Sequence, residues 1–186
     1  MYIYRGSRLN NSDQKRVFFA LSLDDDQKQQ VNIWCHRNLP AQQHNIALEN
    51  YHLTLRYIGH CTPLEVCQLT TATDEIITRQ ISLNLNQLGH FKKPKVLYLG
   101  LSHTPEALQS LAQQVNALVD DILPPQTPSA GYTFTPHITI ARKVKTPVTG
   151  QQPFSISMTV KRFALFESVS TPTGVVYNEL TCWPLR

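Results

Sequence analysis

Two short stretches constrain this chain more than any bulk property. Residues 51–55 read YHLTL and residues 136–140 read PHITI. Each runs His, apolar, Thr, apolar, which is the period-two pattern of a half-buried strand. Successive side chains leave a strand on opposite faces, so His52 and Thr54 share one side while Leu53 and Leu55 take the other. The same division sets His137 and Thr139 against Ile138 and Ile140. The motifs lie 85 residues apart in the same strand context. If their strands lie in facing or adjoining sheets, two imidazoles and two hydroxyls converge on one cleft, each pair held by a packed strand.

The remaining pattern fixes the class. RVFFALSL (16–23) reads as an apolar strand, and the DDD at 24–26 suits the positive end of a helix reaching about Leu39, with Val31, Trp34 and Cys35 as its apolar stripe. The strand HLTLRYIG leads to a second helix, in which Thr62, Pro63 and Glu65 form a capping-box signature and Leu69, Ala72, Thr73, Ile76 and Ile77 share a face. Residues 81–101 read as two neighbouring strands around the KKPK turn. From Thr104 and Pro105, Leu108, Leu111, Val115, Leu118, Val119 and Ile122 recur at helical spacing, and PPQTPSAG (124–131) ends that helix in a loop. HITIAR, FSISMTVKRFALFES and VVYNELTCW follow, the last two joined by a hairpin at TPTG. The expected class is mixed α+β with a weak two-lobed pseudo-symmetry.

With 186 residues, 41% hydrophobic and 16% charged, the chain reads as one ordinary globular unit and not as a disordered protein. Residues 1–15 are polar and aperiodic, a flexible tail before a single domain over 16–186. The net charge of +4 is compatible with a polyanionic partner without defining one. Cys35, Cys61, Cys67 and Cys182 form no CxxC pair, which points to a reduced, cytoplasmic protein. No apolar run approaches the roughly 20 residues that span a bilayer, so no membrane association is expected. No extended apolar face advertises an obligate interface, so a monomer is expected.

Histidine titrates near neutrality, so one imidazole can accept a proton while another donates one. Threonine hydroxyls can donate hydrogen bonds to non-bridging oxygens, which favours an anionic tetrahedral centre such as a phosphodiester. No HExxH, no close Cys or His pair, no phosphate-binding GxxxxGK[ST] loop and no dinucleotide fingerprint occurs. The expectation is acid/base catalysis with no metal and no cofactor. A single His-x-Thr is more often a hydrogen-bonded strand pair than a catalyst. Two copies with the same orientation favour a shared site, although the residues alone leave open which histidine is acid and which is base.

HLTL and HITI resemble the paired signatures of the two-histidine phosphoesterases. More narrowly, RVFFAL, HLTLRYIG, VLYLG and PHITIAR together resemble the RNA 2′,3′-cyclic phosphodiesterases, also called 2′-5′ RNA ligases, from Arg16 to about Trp183. The resemblance implies a two-lobed α+β fold, with mostly antiparallel sheets, helices on the outside and a central cleft. It also implies opening of terminal 2′,3′-cyclic phosphates on RNA, or on small nucleotides, to 2′-phosphomonoesters. His52 would be the proton donor to the leaving 3′ oxygen and His137 the proton acceptor from water, with Thr54 and Thr139 on phosphoryl oxygens. Arg142 matches the family arginine five residues after the second histidine. In a regular strand it would face away from His137, so it reaches the cleft only if the strand ends or bulges near Ala141. Ile140 and Tyr98 depart from the usual leucine and tryptophan.

The alternatives are a 2′-5′ RNA ligase working in the reverse sense and a module that binds RNA ends or nucleotides without chemistry. The basic clusters KKPK, RKVK and Lys161 with Arg162 suit either an RNA backbone or solvated loops. Phe18 and Phe19 read as core, and His36, His44, His60, His90 and His103 as surface or turn residues.

Overall fold

Among the described residues, nine strands and three α-helices carry the motifs. In chain order they are β1 (Lys15–Ser22), α1 (Asp25–Asn38), β2 (His52–Cys61), α2 (Pro63–Thr73), β3 (Ile81–Leu85), β4 (Gln87–Phe91), β5 (Val96–Gly100), α3 (Glu106–Ile122), β6 (His137–Arg142), β7 (Ile156–Val160), β8 (Arg162–Thr171) and β9 (Gly174–Pro184). The computed structural model describes residues 13–43, 45–123, 134–147 and 152–186. Most of the expected tail and the PPQTPSAG loop lie outside the described residues.

Seven strands form one antiparallel sheet in the order β4-β5-β6-β2-β1-β8-β9, and β3 pairs with β7 in a separate two-stranded sheet. The class is α+β, and the two motifs meet at the β6/β2 seam, on adjacent strands of a single sheet. Leu53, Leu55, Ile138 and Ile140 are fully buried, as alternation requires. Helix α3 covers this face through Leu108, Leu111, Ala112, Val115 and Val119. Arg56 lies on the same face and ties it to α3, donating to Asn116 Oδ1 at 2.9 Å and to Asp120 Oδ1 at 2.7 Å.

Local chemistry explains where elements start and stop. Asp24 caps α1 by accepting from the Gln27 N–H at 2.9 Å, while Gln27 Oε1 accepts from the Asp24 N–H at 3.1 Å. This capping box is something the acidic run alone did not reveal. The box expected at Thr62 and Glu65 is present. Helix α2 ends at Thr73, earlier than its apolar stripe suggested, and Ile77 is 71% exposed beyond it.

Residues 81–101 contain three strands and not two. Asn86 breaks the run, taking the Ser102 N–H on its Oδ1 and donating to Ser102 Oγ, both at 2.8 Å, so β3 can leave for β7. A similar break at Lys161 divides the FSISMTVKRFALFES stretch into β7 and β8. Alternation could not locate either break, because both halves continue it.

Candidate active site

The β2/β6 pairing centres on Leu53 opposite Ile138. In an antiparallel pair this register sets His52 across from Thr139 and Thr54 across from His137. The four polar side chains therefore form a square on the face opposite α3, with cross-strand neighbours roughly 5 Å apart at Cβ. The square is crossed, since each histidine stands beside its own threonine along the strand and faces the other threonine across the seam.

Both imidazoles are oriented by the same device. His52 Nδ1 lies 2.7 Å from the Asn50 carbonyl, and His137 Nδ1 lies 2.7 Å from the Thr135 carbonyl. A carbonyl only accepts, so each Nδ1 carries the proton and each Nε2 is left with its lone pair. His52 Nε2 is 3.1 Å from Thr54 Oγ1, which donates to it.

Aromatic rings wall the histidines. His52 packs against Phe18 and Tyr177, each with ring centroids 4.9 Å away, and His137 against Phe91 and Tyr98, each at 5.1 Å. Phe18, expected in the core, is buried but on the site face. Tyr177 arrives because the β8–β9 hairpin, bulged on β9 between its partners Leu165 and Phe166, curls over the sheet. Asn50 holds it there, donating to the Val175 carbonyl at 2.7 Å and accepting from the Tyr177 N–H at 3.3 Å.

These surroundings disfavour the imidazolium forms. Burial pushes His52 down to about 4, the Asn50 carbonyl works in the other direction, and Arg142, His137 and Lys28 lower it further. His137 is lowered by burial first and by Arg142, against the Thr135 carbonyl. In both cases the shift favours the neutral imidazole in the free protein.

Arg142 is on the site face, and the reason is a bulge. Across β5 and β6, Leu97 pairs with Ala141 and Tyr98 with Thr139, leaving Ile140 as the extra residue. Ile140 and Ala141 are both fully buried and Arg142 is exposed, so the parity of the strand is reset. The Arg142 guanidinium has no hydrogen-bond or ion-pair partner among the described residues. Its main chain is fixed by Asn45, and the following turn, with Lys143 at φ 63°, is held at Val144 by the Lys95 carbonyl and by His90 Nε2 at 2.9 Å. His90 is thus half-buried and tied into the fold, not a free surface residue.

Two cavities flank this centre. One of about 390 Å³ lies along Asn45, His52, Thr139, Arg142 and Lys143, and one of about 360 Å³ along Arg16, His52, Thr54, Tyr57 and Arg142. A larger cavity of about 600 Å³, lined by Asn84, Ser102 and Ser157, contains none of the site residues. Among the described residues no group of three or more His, Cys, Asp or Glu gathers closely enough to hold a metal ion. No helix of the described residues is long and apolar enough to cross a membrane.

An antiparallel α+β sheet with a His-x-Thr pair on each of two central strands defines a two-histidine phosphoesterase site. The chain belongs to the 2′-5′ RNA ligase superfamily, whose family model matches residues 41–172. It is 28% identical to the RNA 2′,3′-cyclic phosphodiesterase of Escherichia coli (strain K12) over 176 residues, covering 94% of this chain and 98% of that one. It is 26% identical to the protein of the same name from Thermotoga maritima, covering 89% and 92%. Among solved structures, E. coli LigT complexed with 3′-AMP superposes with a TM-score of 0.83 at 27% identity, covering 92% of this chain and 98% of that one. E. coli LigT complexed with phosphate gives 0.79 at 26% identity, covering 93% and 98%.

Six contributors escaped the sequence: Asn45, Asn50, His90, Phe91, Tyr57 and Tyr177. Only Tyr57 left a signal, because it stands five residues after His52 as Arg142 stands five after His137.

Proposed function

We propose that this protein hydrolyses terminal 2′,3′-cyclic phosphates on RNA to 2′-phosphomonoesters. The observation that carries the reading is the pair of Nδ1-anchored imidazoles on adjacent strands, each with the Nε2 lone pair turned to the site face and a threonine across the seam. In this reading His137 Nε2 takes a proton from water as its oxygen bonds to phosphorus. The P–O3′ bond breaks, and the departing 3′ oxygen receives a proton from His52 Nε2. Thr54, Thr139 and Arg142 hold the non-bridging oxygens, whose negative charge grows as the centre becomes five-coordinate. His52 enters this cycle protonated. The anionic phosphate opposes the burial that lowers its affinity for a proton, and an imidazolium with a low pKa is a strong acid towards an alkoxide.

Hydrolysis needs only water on the His137 side. A second reading is 2′-5′ ligation, in which a ribose hydroxyl is the other partner and the roles of the histidines exchange; the cavity beside His52 and Thr139 has room for another nucleoside. The four free cysteines, two of them buried, fit a cytoplasmic setting, and a single chain carries all the proposed groups.

The test is product analysis on RNA ending in a 2′,3′-cyclic phosphate, in the presence of a strong chelator, with His52→Ala and His137→Ala beside the wild type. A 2′-phosphomonoester from wild type and a loss of roughly 100-fold or more in each variant is expected. Full activity in both variants overturns the assignment, and a joined 2′-5′ product without hydrolysis favours the second reading. Tight binding of ends without any product leaves a binding module.

A further inference from the structure

We propose that the exposed lysines of two turns, Lys92, Lys93 and Lys95 after β4 and Lys143 and Lys145 after β6, form one ridge that carries the backbone of an RNA strand upstream of its reactive end. The reading rests on the proposed phosphoryl centre. Charge is divided along the chain. Residues 76–105 and 122–166 contain no Asp or Glu but nine Lys and Arg, while the rest of the chain holds all thirteen acids and the other eight basic residues. These two stretches supply β3 to β7, so the β4-β5-β6 side of the large sheet is built without a side-chain carboxylate.

Folding gathers that charge at one end of the sheet. Val96 pairs with Arg142, so the β4–β5 turn and the end of β6 are neighbours. Buried Val144 locks them together, since its N–H donates to the Lys95 carbonyl at 3.1 Å and its carbonyl accepts from His90 Nε2 at 2.9 Å. All five lysines are exposed, and among the described residues none is paired with an acid. Lys95 at φ 68° and Lys143 at φ 63° hold a left-handed backbone that glycine adopts without cost, so lysine stands in each turn against the local preference. Unpaired like charges set side by side repel one another, and a polyanion relieves the repulsion.

The ridge lies where the strand must leave the site. A 2′,3′-cyclic phosphate ends the chain on one ribose, and the preceding nucleotides depart from the 5′ oxygen of that same ribose. His52 protonates its leaving 3′ oxygen, so the strand departs on the side of His52. The Leu53–Ile138 register puts His52 across from Thr139, and Arg142 follows further along β6 in the same direction. The cavity of about 390 Å³ lined by His52, Thr139, Arg142 and Lys143 joins the square to the ridge. Phosphates upstream of the reactive one then meet Lys143 first and the remaining lysines beyond it.

The experiment measures, by calorimetry over a series of salt concentrations, binding of an RNA decamer ending in a 2′-phosphate and of adenosine 2′-monophosphate. Three proteins are compared: the wild type, the ridge triple Lys92→Gln, Lys93→Gln and Lys145→Gln, and a control triple Arg79→Gln, Lys161→Gln and Arg186→Gln. The control removes the same charge from an exposed corner on the far side of β2 and β1, where the Leu185 N–H donates to the Lys161 carbonyl and the Gln80 N–H to the Arg186 carbonyl. The wild type should prefer the decamer, most strongly at low salt. In the ridge triple the slope of log affinity for the decamer against log salt should become shallower by about 2, as three lost contacts to a single strand would make it, with adenosine 2′-monophosphate bound as before. The control should keep the wild-type slope. A decamer bound no more tightly than the mononucleotide, or equal slopes in the two triples, overturns the ridge. Neither ligand reacts, so the outcome is independent of turnover: cyclic phosphate hydrolysis without ridge-dependent binding removes the ridge alone, and ridge-dependent binding without hydrolysis removes the activity alone.

Discussion

The side-chain amide of Asn45 takes both main-chain hydrogen-bonding groups of Arg142. Asn45 Oδ1 accepts from the Arg142 N–H at 3.0 Å, and Asn45 Nδ2 donates to the Arg142 carbonyl at 3.1 Å. Ile46 continues the contact by donating to the Ile140 carbonyl at 3.3 Å. The bulged end of β6 thus gains a surrogate strand partner, and the guanidinium is aimed without being touched. Asn45→Ala should raise KM for a cyclic phosphate roughly 5- to 30-fold, as loss of two neutral hydrogen bonds would, with a smaller change in kcat. If Asn45 acts through Arg142, the double variant with Arg142→Ala should be no worse than Arg142→Ala alone. Steady-state kinetics on the four proteins decides this, and additive losses would deny the coupling.

Both histidines bind protons less readily than a free imidazole, and the free-protein values govern kcat/KM. Its bell should therefore be centred below pH 6.5, and the kcat bell should lie at higher pH, because a bound phosphate anion stabilises both imidazolium forms. The two limbs belong to the coupled pair and not to one residue. Kinetics of a 2′,3′-cyclic mononucleotide from pH 4.5 to 8.5 tests the order of the two bells.

The same shifts reach stability. Between the lowered folded value of His52, about 4, and the ordinary 6.5, the unfolded chain binds more protons than the folded one, so stability rises with pH. The contribution is fully present above pH 6.5 and is lost as the pH falls towards 4. Urea midpoints measured at pH 7, 6, 5 and 4.5 should fall steadily in wild type and less steeply in His52→Gln. Parallel slopes would place the acid sensitivity elsewhere.

Tyr98 lies over Gly89, its partner on β4, and also against His137. A Cβ at Gly89 would overlap the Tyr98 ring. Gly89→Ala should therefore move the wall of His137, costing about 1–3 kcal/mol of stability as overpacking does and lowering kcat more than it raises KM. Thermal unfolding with parallel kinetics tests it. Gly89→Ala with Tyr98→Ala should recover part of the stability.

His52, Thr54, His137 and Thr139 were legible because a strand has a two-residue period, and residue type then names the chemistry. Their relation was not. Alternation gives the face of each strand but no neighbour, and only the Leu53–Ile138 register made two halves into one square. Arg142 was legible as a conditional, since parity demanded a bulge and the bulge is at Ile140. Asn45 and Asn50 act through main-chain groups of distant strands, and nothing in a local pattern encodes such a contact. The breaks at Asn86 and Lys161 were hidden because each strand on either side continues the same alternation.

Arg142 lowers the proton affinity of both His52 and His137 and, among the described residues, is paired with no acid. Its charge therefore opposes the imidazolium that the proposed acid must become, and the phosphate reconciles the two by binding the guanidinium. Arg142→Ala removes the repulsion and the anchor together. The titrations of both histidines in the free protein should move up, seen in the imidazole Cε1–H proton shifts, and the kcat/KM bell should move up with them. KM should rise roughly 10- to 100-fold, the scale of a lost hydrogen bond to a charged group. Arg142→Lys should keep the histidine titrations near wild type, since the charge remains, yet recover only part of the affinity, because an ammonium lacks the planar fork. Histidine titrations unmoved by Arg142→Ala would mean that the guanidinium points away from the square in solution.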